Sequence, residues 1–582
     1  MAKLLGSVLT SAALIALSAC ATTPSPPGAS APRAAAAPTP PDSGTAYGYY
    51  LAGQAAMEAG DSQAAADYFA KARTANPDAD FLKEDVFTAS ILAGDVTRAA
   101  ETAPGPGEGT PSNQALGVLV QAVEALAQGD GQKAYAKLSA PRPPVAPVQD
   151  AAALLKPWAA AAAGKPAESV AMPTVSERLF RVVAALDQAE LFEHARRYGE
   201  AETTFKALMV QKGVVDVIGP AYGVFLERRG RRKEAVALYD QIIADDPQDD
   251  SVIAARARAA SKGTPPPLGT FKEGAAQTLL IQAEASLQSK DTATGLAYLR
   301  LVLRLDPDLD DAVVLAGDVL STMGDTRSSR AAFEQLGPKS SRYVEARSRL
   351  AWSYQKDDQE QALKIARDTI AAKPDNGVAL MTLAYLLRSD ERYEESIKVL
   401  DPLIAGKGGR SDWRLYYMRG VALERTGRWP DAQRDFDKAL SIKPDEPELL
   451  NYLGYSWVNR GEKVNEGLAM IRRAVDAQPD EGAFVDSLGW AYYRLGNYKD
   501  AVQALEQAVS LEAGDAEIND HLGDAYWRVG RRDEARFQWS AVLTLKPDAD
   551  VKARVETKLA SPLGPDGVAK DQKAKDAGVR TP

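Results

Sequence analysis

Apolar positions in this chain fall into amphipathic runs that return at a fixed interval. Over its last third the same apolar pattern flanks Gly420, Gly454, Gly489 and Gly523, spaced by 34, 35 and 34 residues. A helix-turn-helix unit cannot bury its apolar face alone. Recurrence at this interval therefore predicts an all-α solenoid, in which each unit packs on its neighbours and length measures extent along an axis.

Numbering a unit from 1 to 34, residues 46–79 place Gly53 at position 8, Gly60 at 15, Ala65 at 20, Phe69 at 24, Ala72 at 27 and Pro77 at 32. Residues 216–249 repeat this with Gly223, Gly230, Ala235, Tyr239, Ile242 and Pro247, and 413–446 with Gly420, Gly427, Ala432, Phe436, Ala439 and Pro444. The unit 516–549 carries Gly523, Gly530, Ala535, Trp539 and Pro547. Small residues at 8 and 20 let the paired helices approach, and the large residue at 24 fills the space beside them. Glycine at 15 supplies a left-handed end to the first helix, and proline at 32 stops the second. Gly523→Trp is expected to overpack the pair.

These positions resemble the tetratricopeptide repeat. Looser units fall at 182–215, 276–309, 343–376 and 377–410; the unit 447–481 holds one extra residue near Val464 or Asn465, and 482–515 has Ala513 where proline is usual. Residues 80–175 contain helix pairs such as Phe81 to Leu92 and Ala115 to Ala127, interrupted by Pro104, Pro106, Pro141, Pro143, Pro144 and Pro147. The run Thr264-Pro265-Pro266-Pro267-Leu268-Gly269 reads as a break between two arms. The expected organisation is an N-terminal arm over 45–262 that is irregular at 80–175, a linker at 263–272, a C-terminal arm over 273–555, and a disordered polar tail over 556–582.

The start of the chain belongs to a different pattern. Lys3, the apolar stretch Leu4 to Leu17 and the small residues after it read as an export signal over 1–20, too short to span a bilayer comfortably. Its end, Leu17-Ser18-Ala19-Cys20, resembles the lipobox of bacterial lipoproteins, whose cysteine is acylated. Cys20 is the only cysteine in the chain. An ordinary cleaved leader with an incidental cysteine and an uncleaved single-span anchor are the alternatives. With Ala21 next, the resemblance to Gram-negative lipoproteins implies an outer-membrane, periplasm-facing location. Residues 21–44 are rich in Pro, Ala, Ser and Thr and form a tether, which at about 3.1 Å per residue reaches roughly 75 Å.

Charge and composition narrow the chemistry. A net charge of -10 argues against a nucleic-acid groove, and the basic run Arg228 to Lys233 reads as a solvated turn. Only two histidines occur, His194 and His521, each within an amphipathic helix, so a zinc cluster or a Ser-His-Asp triad has almost no raw material. No phosphate loop is present, and Gly105 to Gly109 lie in a proline-containing loop. A peptidoglycan lyase would need roughly 150 further residues of non-repeating sequence, of the size of an independent domain, and none are left over. The expectation is a non-enzymatic chain without cofactor or metal.

Binding is expected on the inner face, where positions 2, 5, 9, 12 and 13 of first helices point. The last four units place there Tyr417, Arg425, Asn451, Tyr455, Asn459, Trp490, Tyr493, Arg494, Trp527 and Arg528, with Asp486, Asp520 and Asp524 beside them. Aromatic and arginine side chains dominate binding hot spots, so this set forms the expected partner groove. Trp490→Ala and Trp527→Ala are expected to weaken a partner while changing stability by less than about 1 kcal/mol.

Leu453-Gly454-Tyr455-Ser456-Trp457, Asp486 to Gly496 and His521-Leu522-Gly523-Asp524-Ala525-Tyr526-Trp527 look like the C-terminal repeats of proteobacterial tetratricopeptide lipoproteins. With the lipobox and the length, the chain is similar to the outer-membrane adaptor lipoproteins that activate a periplasmic carboxyl-terminal processing protease. That resemblance implies a scaffold bringing the protease and cell-wall (peptidoglycan) hydrolases together. A solenoid supporting polysaccharide export or outer-membrane protein assembly is the second reading.

Overall fold

The computed structural model describes residues 44–560, apart from 141–144, 146–147, 212, 247–248 and 407–408. The leader, Cys20, the tether before residue 44 and residues 561–582 lie outside the described residues. Among the described residues there are thirty α-helices and no strand, and the fold is a tetratricopeptide-repeat solenoid.

The spacing rules act as the sequence suggests. At position 8, a methyl group added to Gly420 would come within 2.7 Å of the Phe436 ring, and one on Gly53 within 2.5 Å of Phe69. Gly523 lies equally close against Trp539, whose ring is fully buried. Gly523→Trp is therefore expected to lower the stability of these last repeats by about 3 kcal/mol or more, read by urea denaturation. Gly427 and Gly530 have φ of +77° and +84°, the left-handed geometry that ends a first helix.

One repeat escaped the sequence reading. Asp310–Thr322 and Thr326–Gln335 pair with Gly317 at position 8, Gly324 at 15 (φ +87°) and Phe333 at 24 packed against Gly317. Its position 20 is Ser329, and Ser341 stands where proline is usual. Within 447–481 the extra residue falls in the turn before Val464–Ala477, where Gly461 and Lys463 are both left-handed.

The two-arm division needs correction. The described chain forms two compact units that divide between Ser353 and Tyr354, and not at the 263–272 coil. In the first unit, four successive hairpins begin with the first helices Ala46–Glu58, Asp80–Ala93, Pro111–Ala127 and Val148–Ala162. The second helix of the first hairpin, Ser62–Ala75, has 14 residues, whereas that of the second, Val96–Thr102, has 7 and stops ahead of Pro104. Helices from Arg178–His194 to Asp250–Ala260 then stack as a side branch with its own core around Phe205, Phe225 and Tyr239. After the proline coil the hairpin Phe271–Gln288 and Thr292–Leu305 turns back. It packs along the first helices Asp80–Ala93, Pro111–Ala127 and Val148–Ala162, filling their inner face.

Named contacts fix that return. The Trp158 indole N–H donates to Thr278 Oγ1 at 3.0 Å, and Thr278 Oγ1 donates to Asp187 Oδ2 at 2.9 Å. Arg304 grips Glu124 at 2.7 and 3.0 Å. Arg300 Nε donates to Leu92 O at 3.0 Å and Lys272 Nζ to Ala127 O at 2.6 Å, so two helix C-termini receive cations at their orphan carbonyls. A linker between independent arms would leave Trp158, Leu119 and Phe87 exposed; here all are buried with Leu279, Tyr298 and Leu299.

Candidate functional site

In the second unit the first helices Gly377–Ser389, Trp413–Arg425, Pro447–Arg460, Gly482–Arg494 and Ala516–Arg528 are followed by a lone helix, Ala549–Ala560. The repeat interval stacks equivalent positions into columns along the inner face. Position 5 carries Tyr417, Asn451, Asp486, Asp520 and Arg554; position 9 carries Tyr455, Trp490, Asp524 and Lys558; position 13 carries Arg425, Asn459, Arg494 and Arg528.

These columns are tied to one another from repeat to repeat. Arg494 Nη1 donates to Asn459 O at 3.0 Å and Oδ1 at 3.1 Å, and Arg528 Nε donates to the Tyr493 hydroxyl at 3.2 Å. Trp490 and Tyr493, expected to face a partner, are only 3% and 6% exposed. Their rings stack on each other at 4.9 Å, and Trp490 stacks on His521 of the next helix at 4.1 Å. Both belong to the core between repeats, because a wide ring at position 9 reaches a flat ring at position 6 of the following helix. The expectation that Trp490→Ala leaves stability unchanged is withdrawn for that reason.

The distal acids are also enclosed. Ala549–Ala560 continues the register of a first helix, so its Arg554 and Lys558 arrive at positions 5 and 9. Lys558 Nζ lies 2.6 Å from Asp520 Oδ1 and 2.7 Å from Asp524 Oδ1, and Arg554 Nε donates to Asp520 Oδ2 at 2.7 Å. Burial opposes the charge of Asp520, but the two cations outweigh it and hold its carboxyl below the usual range. Residues 556–560 are thus helix with Lys558 buried, where a disordered tail was expected.

His521 adds a charge-dependent contact. Its Nδ1 lies 2.9 and 3.0 Å from the two Asp486 oxygens. Burial disfavours the imidazolium, yet Asp486, Glu517 and Asp520 together lift its pKa from 6.5 to about 9. A folded value above the unfolded one gives stability that is complete below about pH 6.5 and lost as pH rises through about 9. Denaturant midpoints measured from pH 6.5 to 10 are expected to fall by up to about 3 kcal/mol for wild type. For His521→Gln most of that fall is absent, and the difference between the two profiles is the histidine's share.

What remains open is the wall around Tyr417 and Tyr455. Tyr417, Asn451, Tyr455, Arg494, Trp527 and Arg528 are half-buried and Arg425 is exposed. Tyr417 packs edge-on to Tyr452 at 5.6 Å; Arg388 lies over Tyr385 at 4.8 Å. Burial pushes the Tyr417 hydroxyl up to about 12, and burial with Glu517 and Asp486 raises that of Tyr455 further. The phenols therefore stay protonated, with the Arg425 guanidinium near that of Tyr455 and the Arg388 guanidinium near that of Tyr417. Arg388, over the buried Tyr385, and Tyr452 were missed by the sequence reading; Tyr452 sits at position 6, the position of His521, which had been assigned to neither face. His194 lies between Trp158 at 6.3 Å and Phe271 at 4.7 Å. Among the described residues no group of three or more His, Cys, Asp or Glu is placed to hold a metal.

Comparison with known proteins agrees with the repeat assignment. The family described as Tetratricopeptide repeat matches residues 413–446, and that described as TPR repeat matches 489–530. The TPR repeat-containing protein PA4667 of Pseudomonas aeruginosa is 29% identical over 154 residues, which span 26% of this chain and 25% of that protein. The chain thus matches about a quarter of the length of this curated relative. Among solved structures, the APC/C hetero-tetramer Cut9-Hcn1 aligns over 88% of this chain and 96% of its own at 14% identity and a TM-score of 0.38. A tetratricopeptide repeat protein from Parabacteroides merdae aligns over 49% and 99% at 12% identity and a TM-score of 0.32.

Proposed function

We propose that this chain is a non-enzymatic protein-binding scaffold whose partner site is the inner face of the second unit. The observation that supports this reading most is the wall of Tyr417, Asn451, Tyr455 and Arg425, where half-buried neutral phenols and an exposed guanidinium sit on rigid helices. Rings and arginines so held lose little entropy on binding. The finer reading is an outer-membrane lipoprotein anchored through Cys20, holding a processing protease and cell-wall hydrolases together and so raising their local concentration. It is supported by the lipobox and by the resemblance of residues 449–530.

Pull-down from envelope extracts tests both levels. The wild-type chain is expected to recover a processing protease with cell-wall hydrolases. Arg425→Glu with Tyr455→Ser should lower that recovery by at least about tenfold, or about 1.4 kcal/mol, with helix content unchanged. Recovery of export or barrel-assembly components instead would favour the second reading. Cys20→Ala should move the chain out of the membrane fraction while leaving capture intact; a variant still in the membrane contradicts the anchor alone.

A further inference from the structure

The inner face of the first unit is not empty, and its occupant is part of the same chain. In a repeat solenoid the first helices line the face that takes partners, and here Asp80–Ala93, Pro111–Ala127 and Val148–Ala162 present it to Phe271–Gln288 and Thr292–Leu305. The occupant arrives from 90 or more positions further along, after the side branch, through the proline coil at 263–270. We propose that the hairpin Phe271–Leu305 is a built-in ligand, filling in cis a groove of the N-terminal repeats that accepts a helical hairpin with cations at its ends.

Two kinds of contact carry this assignment. The first is ligand-like recognition at the rim. Arg304 on Glu124, Arg300 on the Leu92 carbonyl and Lys272 on the Ala127 carbonyl all join residues more than 100 positions apart. Each uses a charged tip on an acceptor that the groove offers independently of the hairpin. The second is close apolar fit inside. A methyl group added to Gly274 would come within 2.2 Å of the Trp158 ring, and Phe87, Leu119 and Trp158 of the groove are buried with Leu279, Tyr298 and Leu299 of the hairpin. The short coil keeps the hairpin at high effective concentration, so an external helical partner is excluded from this face while the hairpin is seated.

Cutting the coil in the folded full chain tests the proposal. A protease site replaces Pro265 to Leu268, and the cut protein is followed by gel filtration and circular dichroism on dilution. The two fragments are expected to co-elute at micromolar concentration, part at nanomolar with helix retained, and rejoin on concentration. Arg304→Glu should shift parting to at least tenfold higher concentration, and Glu124→Arg in the same chain should restore it. Fragments that separate as soon as the coil is cut would show that the groove does not hold the hairpin. Fragments that part only when one of them unfolds would make it ordinary core. Either result overturns the proposal, and neither bears on capture of partners by the second unit.

Discussion

Trp490→Ala is expected to destabilise the second unit by about 3–5 kcal/mol, the cost of emptying a large ring site inside a packed interface. The ring is 3% exposed and lies between Tyr493 and His521, with stacking distances of 4.9 and 4.1 Å. Its removal opens a cavity between two repeats, and in a solenoid the nearest-neighbour interface is what couples one unit to the next. Urea unfolding should therefore broaden as well as shift, because the last repeats detach first. Trp490→Phe should recover part of the loss. A midpoint unchanged by Trp490→Ala would return the ring to the open groove.

Lys558→Met should cost a comparable amount, about 3–5 kcal/mol, since it leaves buried carboxylates without their cation. Asp520 and Asp524 are 0% and 2% exposed, and Lys558 is itself 5% exposed. Arg554 still reaches Asp520, so Asp524 carries most of the penalty. Lys552→Met, on the same helix with a side chain 58% exposed and 4.0 Å from Glu556, is the control and should change stability by less than about 0.5 kcal/mol. The double change Lys558→Met with Asp524→Leu should regain much of the loss, because a charge pair replaced by apolar groups is close to neutral.

The repeat itself was legible because its determinants are local. Gly420 against Phe436 and Gly523 against Trp539 depend only on residues 16 apart, and both were named from spacing alone. The repeat at 310–335 carried the same pair, Gly317 and Phe333, but Ser329 and Ser341 removed two markers on which the reading leaned. Where long-range packing decides, spacing was silent. Thr264 to Gly269 does break the helices, yet it joins segments that pack on each other; a proline coil is a hinge only when the helices beyond it pack elsewhere. The relevant sign was in Phe271–Gln288, buried on nearly every side from Gly274 to Ser286. A helix with no polar face is one covered from two directions.

The groove was half legible for a similar reason. Position numbers group Tyr417, Asn451, Tyr455 and Arg425 on one wall, but they cannot tell an open position from one covered by the next repeat. Trp490 was covered by His521, and Asp520 by Arg554 and Lys558, from a helix that had been assigned in part to a disordered tail. Asn459 and Arg494 were expected to meet a partner and instead meet each other. The proposed partner wall is accordingly narrower than the sequence suggested and displaced toward Trp413–Arg425 and Pro447–Arg460.

Site-specific photo-crosslinking in intact cells tests the central claim most directly. A photoreactive phenylalanine analogue at Tyr455, on the open inner wall, is compared with the same group at Phe537, 71% exposed on the second helix Arg532–Thr544. The inner face as partner site predicts discrete protein adducts from position 455 that vanish with Arg425→Glu, and none from 537. Adducts from 537 with none from 455 would contradict it.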